Sequence, residues 1–519
     1  MDGDRNEPLR DGTGTRHIRP GSVAGRIRAL PGRGAFVTDE IPDPLALIDI
    51  SAKSGVSVDW LLHGGPDRES QLSKPNGRGR GKPPPVNLVL RQPELTSLKD
   101  TFGGASLADI VREVIATWDA EGSVAEAASA IAREAAQRIT ATRLADRTYI
   151  NATGIIVHTG WGNAPLSPSA RNRLAEATGP TPTGGAGAYG RSELCEQMLR
   201  RLTGAESAAV TTSNAASLLL VGGALASGRE IVVAARDLLE ISQGARIRDI
   251  MEASGARLVP VGAANRVNID DFRGAITGQT AAILRSHASN IAMTGYVEHV
   301  PTPALVELGR ERRISCIVNL GGGSLVDLGE RGLPECPTIR QALDDGADLV
   351  LASGDKIIGG PQAGIIVGKQ ALIARLVRHP LARTCRPGKL TLAALEATLA
   401  AYAAGRAWQE IPVLRLLGEP LVSIRERALS LAALLRRAGY DAVDAEDRAQ
   451  CGGAVLPGVD LPTWTIRVSH AGLTEEELYA LLVARQLVAR RGHGAVVLDL
   501  RSVLPEDDAR LLSALGASA

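Results

Sequence analysis

Short apolar runs rich in β-branched residues alternate with helical stretches between Ala205 and Lys369, and this alternation constrains the fold more than any other feature. The runs are AAVTTS, EIVVAAR, ARLVPVG, AAILRS, SCIVNL, DLVLAS and AGIIVGK, and the helical stretches include DLLEISQGARIRDIMEAS and TPALVELGRERR. Strands that alternate with helices are typical of a mostly parallel sheet covered by helices. We therefore predict an α/β fold with a mostly parallel central sheet.

The flanking sequence indicates further regions. Ala-rich sequence before residue 149 has apolar positions three and four apart, which predicts helices. After residue 378, a long Ala/Leu helix precedes strands at TWTIRVS and AVVLDLR and a helix at TEEELYALLVARQ, which predicts a small α+β domain. The predicted regions are an N-terminal extension (1–85), an N-terminal helical region (86–148), a large domain (149–378) and a small C-terminal domain (379–519).

The N-terminal extension contains DPLALIDISAKSGVSVDWLLHGG and ends in SKPNGRGRGKPPPVN. The second stretch has the composition of a solvated linker. The first resembles the end of a helix-turn-helix domain of the phage-repressor type, which makes DNA binding by residues 20–65 one interpretation. The alternative is a small helical appendage without a DNA function, because little sequence separates GRIRAL from DPLALIDIS to form recognition helices.

Charge and cysteine usage narrow the class of protein. The 58 basic and 57 acidic side chains leave no global positive field, so nucleic-acid binding would depend on local patches. Five cysteines without a CxxC pair fit neither a disulfide framework nor a zinc site. The apolar runs are too short to span a bilayer. We expect a globular cytoplasmic protein that does not bind a membrane.

Ligands of such sheets bind beyond the carboxyl ends of the strands, and VTTSNAAS lies at one of these ends. Here Ser213, Asn214 and Ala215 follow a strand and begin a helix. Backbone N–H groups and a hydroxyl at a helix start can bind a phosphate, whereas Ser-Asn is also an ordinary N-cap. Both interpretations stay open.

Three more loops fall at the same predicted edge. His287 and Asn290 follow a strand in RSHASNIAMTG and are candidate cofactor-binding residues. His287 can stack on or hydrogen-bond a ring, although a structural histidine is the alternative. Asn319 ends a strand before three glycines, and Ser353 and Lys356 lie in LVLASGDKIIGG. A lysine at a strand end is commonly a solvated charge. Together with a phosphate site and a ring contact, Lys356 becomes a candidate imine-forming nucleophile for pyridoxal phosphate.

Several stretches together resemble the bacterial selenocysteine synthases, the L-seryl-tRNA(Sec) selenium transferases. They are, in order, RTYINATGIIVHTGWGNAPLS, RLTGAESAAV, DIMEASGARLVPVGAANR, GGGSLVDLGERGLP, SGDKIIGGPQAGIIVGK and HPLARTCRPGKLTLAALEATL. The resemblance covers the chain from about Leu88 to its C-terminus. It implies the fold of a fold-type-I pyridoxal-phosphate-dependent transferase, with Lys356 as the covalent anchor of pyridoxal 5'-phosphate.

The resemblance also implies a reaction and its partners. Seryl-tRNA(Sec) would be converted to selenocysteinyl-tRNA(Sec) by α,β-elimination and replacement, with selenophosphate as the selenium donor. Arg383 and Arg386, together with Arg191, would bind anionic groups of these substrates. Family members contact the tRNA through N-terminal helices and assemble as homo-oligomers, either dimers or rings of dimers.

Two positions and one segment depart from the family pattern. Asn319 replaces the aspartate of DLGSGS, which pairs with the pyridine nitrogen, and Asn163 replaces the arginine of HTNLGRA. Arg191 and Tyr189 lie in a segment that is arginine-rich in the family. An amide supplies no charge to the ring, so we expect a weaker electron sink. The alternative function is therefore a pyridoxal-phosphate-binding regulator or paralogue that acts on a small amino compound.

Overall fold

The computed structural model describes residues 9–10, 16–17 and 83–517, except 103, 119–122, 144–147, 180–192, 243 and 454. The helix-turn-helix interpretation of residues 20–65 falls outside the described residues, as do Tyr189 and Arg191. No helix within the described ranges is long and apolar enough to cross a membrane. The chain divides into two compact units, Met1–Ala141 and Thr142–Ala519. The four predicted regions stay a prediction.

The first unit is helical after residue 85. Two short strands, β1 (Leu9–Arg10) and β2 (Arg16–His17), pair antiparallel near its start. The helices are α1 (Val86–Val89), α2 (Pro93–Phe102), α3 (Gly104–Thr117) and α4 (Val124–Arg143), the last of which runs across the unit boundary. The three- and four-residue spacing of Leu107, Val111 and Val114 places them on one face of α3, where they are buried against Ile131 of α4. The expected helical pattern is thus observed.

The second unit contains two main sheets and a small hairpin. Its strands are β3 (Ile150–Ala152), β4 (Ile155–Val157), β5 (Ser207–Thr211), β6 (Glu230–Ala234), β7 (Glu240–Ser242), β8 (Ala245–Arg246), β9 (Arg257–Val261), β10 (Thr280–Ser286), β11 (Ser315–Gly321), β12 (Leu349–Ser353), β13 (Gly364–Gly368), β14 (Asp441–Gly452), β15 (Asp460–Ser469), β16 (Leu487–Gly492) and β17 (Ala495–Asp499).

The helices of this unit lie between the strands and after them. They are α5 (Pro168–Glu176), α6 (Glu193–Thr203), α7 (Asn214–Ala226), α8 (Ile247–Ala253), α9 (Ile269–Ala275), α10 (Thr302–Arg312), α11 (Ile339–Asp344), α12 (Gln370–Arg378), α13 (Leu381–Thr384), α14 (Lys389–Ala403), α15 (Ala407–Glu410), α16 (Pro412–Gly418), α17 (Leu421–Arg437), α18 (Glu475–Ala484) and α19 (Asp508–Ala514).

The larger sheet has seven strands in the order β5-β13-β12-β11-β10-β6-β9. All neighbouring pairs are parallel except those of β13, which runs antiparallel to both β12 and β5. Consecutive β12 residues point to opposite faces, since Val350 packs in the core beneath α6 and α14 and Leu351 in the core beneath α7 and α12. Burial on both faces explains the continuous apolar runs, and the predicted mostly parallel sheet is confirmed.

One predicted helix is partly wrong. In DLLEISQGARIRDIMEAS only Ile247–Ala253 is helical, while β7 and β8 form an antiparallel hairpin before it. Gly244 has φ 81°, a left-handed conformation that glycine adopts without strain. Asn290 Nδ2 donates to the Glu240 carbonyl at 2.6 Å. This contact between residues far apart in sequence favours the hairpin over continued helix.

The smaller sheet has six strands in the order β3-β16-β17-β15-β14-β4. The strands and helix expected near the C-terminus are observed as β15, β17 and α18, and α17–α19 cover one face. Both edge strands, β3 and β4, come from residues just after the first unit. The buried Arg501 guanidinium donates to backbone carbonyls of Leu416, Glu419 and Pro462, which fastens this sheet to α16.

Candidate active site

A cavity of about 350 Å³ lies at the edge of the larger sheet where the parallel strands end. Segments that follow β5, β10, β11 and β12 meet here because the carboxyl ends of parallel strands share one edge. All of the cofactor-binding residues that the sequence predicts line it: Ser213, Asn214, Ala215, His287, Asn290, Asn319, Ser353 and Lys356. Loops scattered over 144 positions of sequence (213 to 356) are thus brought together, and their roles stay predictions.

The start of α7 forms one wall of the cavity. Ser213 is its N-cap, and the Ser213 hydroxyl accepts a hydrogen bond from Ala216 N–H at 3.1 Å. The N-cap interpretation is therefore observed. It leaves the N–H groups of Asn214 and Ala215, in the first turn of a 13-residue helix, without helical acceptors. The helix start can therefore also bind an anion.

Close packing fixes the position of this helix start. The hydroxyls of Thr211 and Ser217 are 2.7 Å apart, and Thr211 Oγ1 donates to the Ser213 carbonyl at 2.8 Å. Gly364 of β13 lies so near that an added Cβ would approach Ser213 O and Thr211 Oγ1 to 2.2 Å. Only glycine at position 364 allows this approach of β13 to the helix start.

Lys356 lies just beyond β12, in a turn closed by backbone hydrogen bonds from Gly354 to Ala363 and from Gly360 to Gly354, each 2.8 Å long. Gly359 adopts φ 69° in this turn. The Lys356 side chain is half-buried and lines the cavity. Burial lowers the pKa of its amine, and the adjacent Asp355 carboxylate opposes part of that effect. No described side chain forms an ion pair or hydrogen bond with Lys356 Nζ.

Asp355 is held beside this lysine by the segment that follows β4. Asn163 Nδ2 donates to Asp355 Oδ2 at 2.7 Å, and Ala164 N–H donates to the Asp355 carbonyl at 3.1 Å. Asn163 has φ 66°, a left-handed conformation in which asparagine is enriched. The residue that replaces a family arginine therefore orients a buried carboxylate.

Asn319 is 3% exposed, and both its side-chain oxygen and its side-chain nitrogen form hydrogen bonds. Asn214 Nδ2 donates to Asn319 Oδ1 at 2.8 Å, and Asn319 Nδ2 donates to the Ser286 hydroxyl at 2.9 Å. Gly321 N–H also donates to Asn319 Oδ1, at 3.3 Å. The oxygen of the Asn214 side chain is buried without a partner among the described residues. A polar atom in this position is available to a bound molecule.

His287 contributes an imidazole to the same wall. Its backbone N–H donates to the Asn319 carbonyl at 2.8 Å, which fixes the loop after β10. Burial, assisted by the Arg285 charge, lowers the pKa of His287, so the ring is neutral at neutral pH. Its Nδ1 is buried and has no described partner. Arg285 itself is paired with buried Asp237 at 2.7 Å.

The predicted anion-binding arginines lie elsewhere. Arg383 in α13 and Arg386 just after it are exposed and do not line the cavity. The backbone carbonyl of Cys385, which lies between them, accepts a hydrogen bond from Thr212 N–H at 2.8 Å. This bond anchors the arginine segment to the loop before α7. Arg191 is outside the described residues.

Sequence reasoning missed several cavity residues. Glu240 and Ile241 belong to the hairpin that was predicted as helix, and no local pattern marks them as site residues. Ser286 ends β10 immediately before His287, so its place at a strand end was a usable signal. Asp355 is adjacent to Lys356, but its partner Asn163 is 192 positions away.

The chain is similar to proteins of known family. The family described as SelA, L-seryl-tRNA selenium transferase, matches residues 149–504. The L-seryl-tRNA(Sec) selenium transferase of Geobacter sulfurreducens is 36% identical over 463 residues, covering 83% of this chain and 97% of that protein. Its namesake from Geotalea uraniireducens is 38% identical over 462 residues, with coverages of 83% and 97%.

Among solved structures, D-glucosaminate-6-phosphate ammonia-lyase aligns with a TM-score of 0.52 at 21% identity, covering 72% of this chain and 97% of that one. This likeness is one of fold, and it confirms the predicted α/β fold class. The family match extends over more than half of the chain and includes every residue that lines the cavity. The chain therefore belongs to the L-seryl-tRNA selenium transferase family.

Proposed function

We propose that this protein converts seryl-tRNA(Sec) to selenocysteinyl-tRNA(Sec), with pyridoxal 5'-phosphate as cofactor and selenophosphate as selenium donor. Family membership supports the reaction. The observation that carries the chemistry is Lys356, a half-buried amine with a lowered pKa. It lines the same cavity as Asn214 and Ala215, whose N–H groups lack helical acceptors.

The cavity residues fit pyridoxal phosphate. The volume of about 350 Å³ is within the range of small-molecule sites. The start of α7 would hold the phosphate group. The unpaired Asn214 Oδ1 and His287 Nδ1, beside Asn319, would face the polar substituents of the ring. When bound, the cofactor supplies an electron sink for the electrons left after a Cα proton is removed.

Residues of this chain would bind, orient and move protons around that group. A lowered pKa keeps more of the Lys356 amine neutral, and a neutral amine can bond covalently to a carbonyl carbon. Once the amine of the substrate displaces it from that carbon, the free Lys356 amine can accept a proton from the substrate Cα. Asp355, held by Asn163 and Ala164, keeps a carboxylate next to that amine. Return of that proton from Lys356 to the serine β-hydroxyl would let the hydroxyl leave as water, and selenium would then be added at the β-carbon.

Binding of the substrates is assigned to three segments. Arg383 and Arg386 would bind selenophosphate or tRNA phosphates as forked donors, and Arg191 would assist them. The helical region 86–148 would contact the tRNA, and the protein would work as a homo-oligomer, either a dimer or a ring of dimers.

A cytoplasmic location is supported by five free, buried cysteines.

The test is a conversion assay with purified holoprotein, serylated tRNA(Sec) and selenophosphate. We expect selenocysteinyl-tRNA to form with the wild-type protein and not with Lys356→Ala. We also expect borohydride reduction of the holoprotein to leave the cofactor on the peptide that contains Lys356. An unchanged visible cofactor absorbance in Lys356→Ala would contradict the assignment of the anchor.

A second candidate, a pyridoxal-phosphate-binding paralogue that acts on a small amino compound, is favoured by two substitutions. Asn319 offers an amide that is already hydrogen-bonded to Asn214 and Ser286, and Asn163 pairs with Asp355 and adds no cation. Cofactor binding without turnover of any serylated tRNA would support this candidate over the first.

A further inference from the structure

A second cavity, of about 600 Å³, lies beside the first in the unit of residues 142–519. Its walls are the segment around β3 and β4, the start of α5, and residues 502–510. A 3₁₀ turn, Thr159–Trp161, contributes to both cavities: Thr159 lines the first, whereas Trp161 lines the second. Asn163 lines both. A molecule that extends past Asn163 would occupy the two cavities together.

Aromatic rings line this second cavity, and that of Trp161 is exposed, whereas Tyr149 and His158 are half-buried. Trp161 is 42% exposed, and its ring centroid lies 4.9 Å from that of Tyr149 at an interplanar angle of 41°. His158 Nδ1 accepts a hydrogen bond from Gly160 N–H, so its neutral ring carries the proton on Nε2. An exposed indole supported by a second ring offers a face on which a planar base can stack.

Some of the charged side chains that line the second cavity form ion pairs, whereas Arg171 does not form one with any described acidic side chain. Arg510 is paired with Asp507 at 2.6 Å and donates to the Thr148 carbonyl. Glu506 is paired with Arg415 through two hydrogen bonds of 2.7 and 2.8 Å. Arg171 at the start of α5 is exposed and forms no ion pair with any described acidic side chain. Its guanidinium is therefore available to a phosphate.

We propose that the second cavity binds the 3'-terminal nucleotide of the aminoacyl-tRNA, with its base on Trp161 and its phosphate at Arg171. The aminoacyl group then passes Asn163 to reach Lys356. This inference rests on the proposed function, because it takes an aminoacyl ester of a nucleoside as substrate. It adds a specificity site outside the cofactor cavity.

Calorimetric titration of the holoprotein with AMP, and with the stable amide 3'-seryl-amino-3'-deoxyadenosine, tests the site. Loss of base stacking by Trp161→Ala should weaken binding of both probes about 5- to 150-fold. Trp161→Phe should retain most of the affinity. Arg171→Ala should weaken AMP and leave adenosine unchanged. The matched control is Tyr296→Ala, which removes another exposed aromatic (74%) that contacts an arginine and lies in neither cavity wall.

Equal affinities of wild-type and Trp161→Ala protein for both probes would overturn the inference. So would a changed oligomeric state in Trp161→Ala, since this face would then be a contact between copies of the chain. The experiment distinguishes failure of the nucleotide site from failure of the proposed reaction. If seryl-tRNA is converted with the same KM by Trp161→Ala, only the inference fails. If AMP binds through Trp161 while no serylated tRNA reacts, the proposed reaction fails and the nucleotide site stands.

Discussion

At the scale of single residues, the candidate site contains an amine, that of Lys356, whose charged form is destabilised by burial. It also contains polar groups that lack hydrogen-bond partners among the described residues. Lys356 lines a cavity in which Asp355 is the nearby carboxylate, and that carboxylate is already bonded to Asn163. Unpartnered Asn214 Oδ1 and His287 Nδ1 lie in the same cavity. Such groups are costly to the fold and are typical of binding sites.

Replacing Lys356 with methionine should stabilise the cofactor-free protein at neutral pH. The folded-state pKa of Lys356 is below its value in the unfolded chain, so between the two values the unfolded state binds more protons. The free energy of unfolding of the wild-type protein therefore rises with pH between these two pKa values. In urea unfolding, the advantage of Lys356→Met should shrink as pH approaches the ordinary lysine pKa. An advantage that does not change with pH would contradict the charge argument.

Restoring a carboxylate with Asn319→Asp should accelerate exchange of the substrate Cα proton. We expect a gain of up to roughly tenfold for each unit by which the carboxylate raises the pKa of the pyridine nitrogen. The site can accept the change because the Ser286 hydroxyl can rotate to donate to an aspartate oxygen, and Asn214 Nδ2 already donates there. Exchange into deuterated solvent, followed by NMR, measures the rate. An exchange rate at or below that of the wild type would contradict the electronic argument.

At the scale of elements, the start of α7 is positioned by its neighbour β13 as much as by its own N-cap. Gly364 lets β13 approach Ser213 and Thr211 without a side chain between them. A change in β13 should therefore act on the phosphate end of the cavity, although residue 364 does not line it.

Gly364→Ala should displace the start of α7 and weaken pyridoxal phosphate binding by about 10-fold, with an overpacking cost of about 1–3 kcal/mol in the free energy of unfolding. Fluorescence titration of the cofactor and urea unfolding measure the two effects. Gly274→Ala in α9 is the matched control, because an added Cβ there meets nothing within 4 Å. Equal cofactor affinity in both variants would show that the close approach is unimportant.

At the scale of the whole molecule, the residues that line both cavities belong to the unit of residues 142–519. The first unit has its own apolar core, formed by residues such as Val89, Leu95 and Ile131. Binding of the cofactor and binding of the tRNA body should therefore be separable.

A protein of residues 142–519 should keep the visible absorbance of bound pyridoxal phosphate and lose at least 10-fold in affinity for seryl-tRNA, if helices α1–α4 contact the tRNA. Absorbance spectra and filter binding measure the two properties. AMP affinity through Trp161 serves as an internal control, because that residue is retained. Unchanged tRNA affinity would assign the tRNA contact to the second unit.

The sequence by itself determined the mostly parallel sheet, most of its strands, and the lysine, serine, histidine and asparagine loops at one edge. These features depend on local patterns: apolar runs buried on both faces, glycine turns and a helix start directly after a strand. The family landmarks in turn predicted the chemistry that we propose for those loops.

Only the tertiary structure decided what lies next to those loops. Asn163 meets Asp355 across 192 positions, β3 and β4 join a sheet built mainly from C-terminal strands, and the β7–β8 hairpin replaces an expected helix. The second cavity likewise forms between segments near Trp161 and Arg510. Each arrangement depends on contacts between residues distant in the chain, and such contacts leave no periodic pattern in the local sequence.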